Sequence, residues 1–417
     1  MEESTGSRIR VCIILDTPNL STGVATAGLP ARMVTLAESL RAAGANVSFV
    51  LGDRGMTVSA AKQWHFEGVL VNPDLLYGPA QNLVPALRKL NPDLIIIADP
   101  QVVALNGRHW AEQAGARLIY EAHDDEAQLA RDAGHDDDIV STQADWQRSA
   151  ALSADFVTVL TEREAQTMRR YGVDEKRLLI APIGINFAER NAWGARPESK
   201  QLLMIGNLFY HPNTQAAWFL VELIGDLRRR GHEISALIVG RGPDELINCQ
   251  AEGVEFTGLV RDLNTVTANI ALAVAPLLVG SGQKKKLLDY QAAGLPVLAT
   301  TEATNGYIEG APGVVVNDNL DTWADEVLRL LSNQEHLTQL GQAGRDAIRQ
   351  HFDAAVIARK ALDCYRRWLT MPSAGTVIKP PGVDCDEPRW LSEHARQLGL
   401  GDPVLTATCD SIELPMQ

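Results

Sequence analysis

Apolar residues along this chain fall in short runs, separated by longer stretches with the three-to-four-residue spacing of amphipathic helices. The first run, Ile9–Leu15, is apolar at nearly every position, which suits a strand buried on both faces of a parallel sheet. A loop with Pro18, Gly23 and Gly28 follows. Helical spacing then covers Leu29–Ala43 and stops at Gly44, before a strand-like run at Val47–Leu51. The alternation continues with predicted helices at Pro79–Leu90, Val102–Ala114, Gln143–Leu152 and Glu162–Tyr171. Predicted strands lie at Asp93–Ala98, Arg117–Glu121, Phe156–Leu160 and Leu178–Ala181. Strands alternating with helices predict a parallel sheet covered on both faces.

The rhythm breaks at 184–200, GINFAERNAWGARPESK, which is polar and contains glycine and proline, so it reads as a linker. Alternation restarts with strand Gln201–Ile205, helix Asn213–Arg230 and strand Ile234–Val239. Strand signals follow at Glu255–Thr257, Ala271–Ala275, Pro296–Thr300 and Val314–Val316, and helix Ala354–Leu369 closes this half. Beyond Thr370 the chain turns proline-rich, with one short helical segment at Arg389–Leu398. The expected organisation is a first α/β domain over 1–183, a linker over 184–200, a second over 201–370, with a return of its last helix to the first left open, and a tail over 371–417. Both domains read as Rossmann-like, with a cleft between them.

Composition narrows the partners. The 417 residues are 46% hydrophobic and 22% charged, which fits a globular chain. Net charge is −14, from 38 basic and 52 acidic side chains, which argues against nucleic acid and anionic membranes. No apolar run is long enough to span a bilayer, and MEESTGSRIR lacks a secretory core. The five cysteines (Cys12, Cys249, Cys364, Cys385, Cys409) show no metal spacing, so a reducing cytoplasm is expected; a Cys385–Cys409 bridge in the tail is the weaker reading.

The densest chemistry lies in GSGQKKKLLDYQAAGLPVLAT, residues 280–300. Gly280 and Gly282 flank Ser281 and allow backbone N–H groups to approach an anion, while a helix starting near Gly282 adds partial positive charge. Lysines on its first turn would complete a phosphate site, and Asp289 suits the vicinal hydroxyls of a ribose. The bland alternative is a loop–helix junction with solvated lysines.

Several segments together resemble the family-4-like glycosyltransferases. QLLMIGNLFYHPNTQAAWFL resembles the strand–loop–helix that opens their second domain, LIVGRGPDEL their strand and Gly-x-Gly-Pro turn, and VEFTGLVRDLNTVTANIALAVAPLLVGSGQKKKLLDYQAAGLPVLAT their nucleotide site. RLIYEAHDDE resembles their strand followed by His-Asp, and DFVTVLTEREAQTMRRYG the last helical unit before the linker. The resemblance covers roughly residues 8–370 and implies the GT-B fold: two facing Rossmann-like domains, the second holding a nucleotide sugar and the first an acceptor.

By the same resemblance Asp289 meets the donor ribose, where the family usually has glutamate. Ser281 stands where many members have a glutamate near the donor sugar. Asn207 stands where an arginine usually follows Gly206, and a downstream lysine is replaced in the region of Pro212 and Asn213. Lys284 and Lys286 are the natural substitutes for those cations, Lys286 the better placed. Gly206 allows close approach; Arg241 is a candidate for the base or a phosphate, with a surface role as its alternative; Gly258 and Leu259 offer backbone to the nucleobase. His123 matches a histidine facing the donor sugar, with a purely structural role as its alternative. Thr17 and Gly23 lie in a loop that in such enzymes closes over the diphosphate or acceptor, and Asp124 follows His123 on the acceptor side.

Two acidic clusters, Asp124-Asp125-Glu126 and His135-Asp136-Asp137-Asp138, look like metal-binding carboxylates, but the two-domain alternation argues against a metal-dependent GT-A enzyme. The second reads as a solvated or acceptor-side loop. The resemblance thus implies retaining, metal-independent transfer from a nucleotide-diphosphate sugar, a co-substrate rather than a cofactor, to a small polar or natural-product acceptor, with a homodimer left open. The alternatives are a sugar-nucleotide epimerase or hydrolase of the same fold and a non-catalytic nucleotide-sugar-binding protein. A dinucleotide oxidoreductase is disfavoured because no Gly-x-Gly-x-x-Gly follows the first strand.

Overall fold

The computed structural model describes residues 8–16, 28–52, 66–187, 195–258, 260, 268–373, 378, 380 and 412–413. Thr17, Gly23, Leu259, Cys385, Cys409 and the helix expected at 389–398 lie outside them. The chain forms two compact units. The described residues of the first are 8–16, 36–52, 66–181 and those from 358 onward; those of the second are 28–35, 182–187, 195–258, 260 and 268–357. The division between units therefore falls between Thr35 and Leu36 inside the first helix, between Ala181 and Pro182, and between Ile357 and Ala358 inside the final helix.

The first unit carries β1 (Arg10–Asp16), the end of α1 (Gly28–Ala42) from residue 36, β2 (Asn46–Gly52), β3 (Glu67–Val71), α2 (Val84–Leu90), β4 (Leu94–Ile97), α3 (Arg108–Ala114), β5 (Arg117–Ala122), α4 (Glu126–Asp132), α5 (Asp137–Ser153), β6 (Phe156–Val159), α6 (Glu162–Tyr171) and β7 (Leu178–Ile180). Seven parallel strands run in the order β3-β2-β1-β4-β5-β6-β7, and a two-residue strand, Ile412–Glu413, pairs antiparallel with β3. β1 is buried on both faces, which is why its apolar run is unbroken.

The helix limits follow from capping. α6 starts at Thr161, whose hydroxyl accepts the Arg163 N–H, and stops at Gly172 with φ 99°. α5 starts six residues before the expected Gln143. The cluster His135-Asp136-Asp137-Asp138 is exposed, as a solvated stretch would be, but only its first half is loop: Asp136 accepts the Ile139 N–H, and Asp137 and Asp138 fill the first turn, where carboxylates offset the helix dipole. Likewise Asp125 caps α4 through the Gln128 N–H. Periodicity missed α4, a seven-residue helix, and β3, which is only five residues long.

The second unit carries β8 (Gln201–Ile205), α7 (His211–Arg229), β9 (Ser235–Val239), β10 (Val254–Gly258), β11 (Leu272–Ala275), α8 (Lys285–Ala292), β12 (Val297–Ala299), β13 (Val314–Val316), α9 (Trp323–Leu331) and α10 (Gln334–His351). Its six parallel strands run β10-β9-β8-β11-β12-β13. The expected linker is partly built into this unit: Ile185 bridges Asp353, and Ala195 bridges Ile270.

The last helix, α11 (Ala354–Leu369), ends on the first unit, where Trp368 stacks on Phe156 with ring centroids 4.4 Å apart. The start of the tail follows it. Arg117 donates to the Met371 carbonyl at 2.9 Å, and Ser373 Oγ donates to Asp155 Oδ1 at 2.6 Å. Asp155 also pairs at 3.2 Å with Arg108, both of them buried, and accepts the Leu118 N–H. Removing one member of a buried ion pair leaves an uncompensated charge. Asp155→Ala is therefore expected to lower the stability of the first unit by about 3–5 kcal/mol, read as an earlier transition in urea unfolding followed by Trp fluorescence.

Candidate functional site

Both sheets reverse strand order beside their first strand, at β1/β4 and at β8/β11. The chain leaves such a point in opposite directions, opening a crevice at the carboxyl ends where ligands of α/β folds bind. The site is built there.

In the second unit three strand ends meet through backbone. The Gly206 N–H, after β8, donates to Val239 O at 3.0 Å, and the Gly240 N–H, after β9, donates to Gly258 O at 3.0 Å. A Cβ on Gly240 would fall 1.7 Å from Gly206 O, so no other residue fits. Leu208 N donates to Arg241 O at 2.6 Å, and a Cβ on Gly242 would fall 2.7 Å from Leu208 Cβ. The Arg241 side chain is exposed. Asn207 organises the turn into α7: its carbonyl accepts Asn213 Nδ2 at 2.9 Å, and its Oδ1 accepts the Phe209 N–H at 3.2 Å.

The loop after β11 comes in beside them. Gly280 (φ 139°) and Gly282 (φ 65°) hold left-handed backbone. The helix begins at Lys285, not at Gly282, because Lys284 is still extended at the cap position. Its Nζ reaches back to the Ser281 and Gly282 carbonyls at 2.8 and 3.2 Å and to Glu302 at 3.3 Å. Asn305 Nδ2 also donates to Gly282 O at 3.1 Å, and Gln283 ties the loop to Ile183 N and Gly306 O. The first amides of α8, Lys285 and Lys286, have no acceptor within the helix by its geometry.

The three lysines therefore have three settings. Lys285 pairs with both oxygens of Asp289, at 2.9 and 2.8 Å, so Asp289 is buried against a cation of its own helix. Lys286 Nζ donates to Asn213 Oδ1 at 2.5 Å. Loss of water around this amine, with the charge of Lys284 adding to it, pushes its pKa down to about 7. A Cβ on Gly206 would come within 3.2 Å of the same nitrogen. Gly206, Asn207, Asn213, Gly280, Lys284 and Lys286 thus form one neighbourhood. Gly258 (φ 64°) ends β10 with open space above it.

In the first unit, His123 and Asp124 follow β5 at the carboxyl edge, both partly buried, and the Asp124 carbonyl accepts Gln147 Nε2 at 2.7 Å. Next to them, burial, with Asp124 second, pushes the Glu126 carboxyl up to about 8. At the β1/β4 reversal the Tyr77 hydroxyl lies between Asp16 Oδ2 at 2.8 Å and Asp99 Oδ2 at 3.0 Å. Burial raises the Asp99 pKa, against the opposing pull of the Val102 and Gln101 N–H groups that its side chain caps. Asp16, Tyr77 and Asp99 went unselected in the sequence, and Glu126 entered only as part of an acidic cluster. Asp16 and Asp99 carried a usable signal, since each stands at the end of an apolar strand run.

Residues 27–189 match the family model described as Glycosyltransferase Family 4, and residues 199–333 match Glycosyl transferases group 1. The chain belongs to these glycosyltransferases. Its fold is GT-B. Similar solved structures include a glycosyltransferase from Rickettsia africae (15% identity, covering 88% of this chain and all of that one, TM-score 0.67). HepE of Anabaena, solved with UDP and glucose, is 14% identical, with 86% and 100% covered and a TM-score of 0.66. Sucrose-phosphate synthase from Thermosynechococcus elongatus is 17% identical, with 86% and 99% covered and a TM-score of 0.64. No curated protein matches the chain by sequence.

In this glycosyltransferase, no helix among the described residues is long and apolar enough to cross a membrane. Among those residues, too, no group of three or more His, Cys, Asp or Glu side chains is placed to hold a metal ion; Asp125 and Asp136 serve as helix caps.

Two outcomes follow from this geometry. Gly240→Ala is expected to cost the second unit at least about 2 kcal/mol, because backbone rather than a flexible side chain must yield; chemical denaturation reads this directly. For Glu126, a folded pKa above the unfolded value means stability is full at low pH and declines as pH rises from about 4.5 through about 8. Glu126→Gln should therefore melt higher than the parent at pH 9 and no higher at pH 4.5, in thermal scans of both proteins.

Proposed function

We propose that this glycosyltransferase takes its sugar from a nucleoside-diphosphate sugar held at the carboxyl edge of the second unit. The observation that carries the reading is the convergence of Lys286, the glycine-lined strand ends and the first turn of α8 at the β8/β11 reversal. Glycines give backbone access, α8 contributes unpaired amides, and Lys286 supplies a cation for charge developing on the departing diphosphate. Asp289 is the group for the ribose hydroxyls, sharing its carboxylate with Lys285. Gly258 offers backbone to the base, and Arg241 reaches the base or a phosphate. The uridine nucleotide in the HepE complexes makes UDP the first donor nucleotide to try.

The acceptor falls to the first unit, where His123 and Asp124 lie at the corresponding edge. Transfer proceeds with retention of configuration and without a metal, the leaving phosphate assisting deprotonation of the acceptor; the acceptor is a small polar or natural-product compound. The alternative reading is hydrolysis or epimerisation of the sugar nucleotide, or binding without turnover.

Thermal-shift measurements with UDP, GDP, ADP and dTDP should raise the melting temperature for the true donor nucleotide. With the matching nucleotide sugar and an acceptor panel, Lys286→Ala should lower kcat/KM by about 10²–10³-fold, the range for removing one stabiliser of developing charge. Turnover of that variant at the parental rate would remove Lys286 from the mechanism. Donor consumption without an acceptor product would favour the hydrolase.

A further inference from the structure

The three lysines that open α8 differ in what balances their charge. Lys284 faces Glu302, and Lys285 faces both oxygens of Asp289. Lys286 faces an amide. Its orientation is fixed, because Asn213 Nδ2 donates to Asn207 O at 2.9 Å and leaves Oδ1 toward the lysine at 2.5 Å. An amide oxygen accepts a hydrogen bond from an amine in either protonation state and brings no countercharge. Among the described residues no carboxylate lies within 4.0 Å of this amine.

We infer that a nucleoside diphosphate arriving at this edge brings about protonation of Lys286, so that donor binding is coupled to uptake of one proton from solvent. The inference rests on the donor-site reading above. In the free protein the amine has lost water, feels the charge of Lys284 and faces a neutral amide, which favours the uncharged form. A diphosphate oxygen supplies the missing countercharge, and the amine then binds as ammonium.

The surrounding groups leave this step to Lys286. Tyr290, one turn along α8, accepts the Ile205 N–H at 2.6 Å and is held neutral by burial, which raises its pKa. Asp289 and Glu302 face the other two lysines. His211, at the start of α7, and Arg241, after β9, are exposed. The depressed pKa of Lys286, about 7, agrees with this arrangement and sets the window: uptake is large above neutral pH and fades below it. By the same linkage, affinity falls by up to about tenfold per pH unit above pH 8.

Isothermal titration calorimetry tests this with UDP, GDP, ADP and dTDP at pH 8, where a terminal phosphate with a second pKa of about 6 is already ionised. Each titration is run in HEPES and in Tris, whose ionisation enthalpies differ. The nucleotide that binds should take up about 0.9 proton per site, the fraction of a group of pKa about 7 that is uncharged at pH 8. Lys286→Arg keeps the charge but does not titrate, so uptake should vanish. Asn213→Asp supplies a countercharge in advance, so uptake should fall toward zero even if the arginine variant binds nothing. Binding with equal heats in both buffers would overturn the inference while leaving the donor site intact, as would undiminished uptake in both variants. No binding of any of the four nucleotides would overturn the donor-site reading and the inference with it.

Discussion

The carboxyl edge of the second sheet depends on backbone meeting backbone at Gly206 and Gly240. With no side chain at either position, the ends of β8 and β9 close to a distance that even a methyl group would block. At Gly206 the missing Cβ leaves room for Asn213 Nδ2, which reaches the carbonyl of Asn207, and for the amine of Lys286. Gly240 therefore sets the approach of the two strand ends, and Gly206 the approach of the cation to them.

Charge is distributed over this edge unevenly. Two of three adjacent lysines serve architecture. Lys284 gathers the carbonyls of its own loop, and Lys285 binds an acid one turn along. The third has lost much of its water without gaining an ion pair. The first sheet shows the opposite sign at its edge, where Asp16 and Asp99 share the Tyr77 hydroxyl and Glu126 is held toward its protonated form.

The alternation of apolar runs and helical spacing located nearly every strand, because a strand buried on both faces leaves an unbroken apolar signature. Short elements escaped: β3, with five residues, and α4, whose start is an aspartate cap rather than a periodic stripe. The acidic stretches were harder still. Composition alone does not separate a carboxylate that caps a helix from one that meets a ligand. At the donor edge, residue type identified the glycines and lysines, but not the separate tasks of Lys284, Lys285 and Lys286, which depend on Glu302, Asp289 and Asn213. Of these, Glu302 and Asn213 are distant in sequence. Asp16 and Asp99 were legible in principle from strand ends alone; Tyr77, which joins them, was not.

Residues of the first unit lie on both sides of the second in sequence. Trp368 stacks on Phe156, and Ser373 completes the hydrogen bonding around Asp155, yet both residues are synthesised after the whole of the second unit. During translation the N-terminal sheet emerges first but lacks these closing contacts until some two hundred further residues have been added. The second unit, almost continuous in sequence, is complete before them. Assembly of this chain therefore departs from simple N-to-C order: the unit that emerges first is finished last.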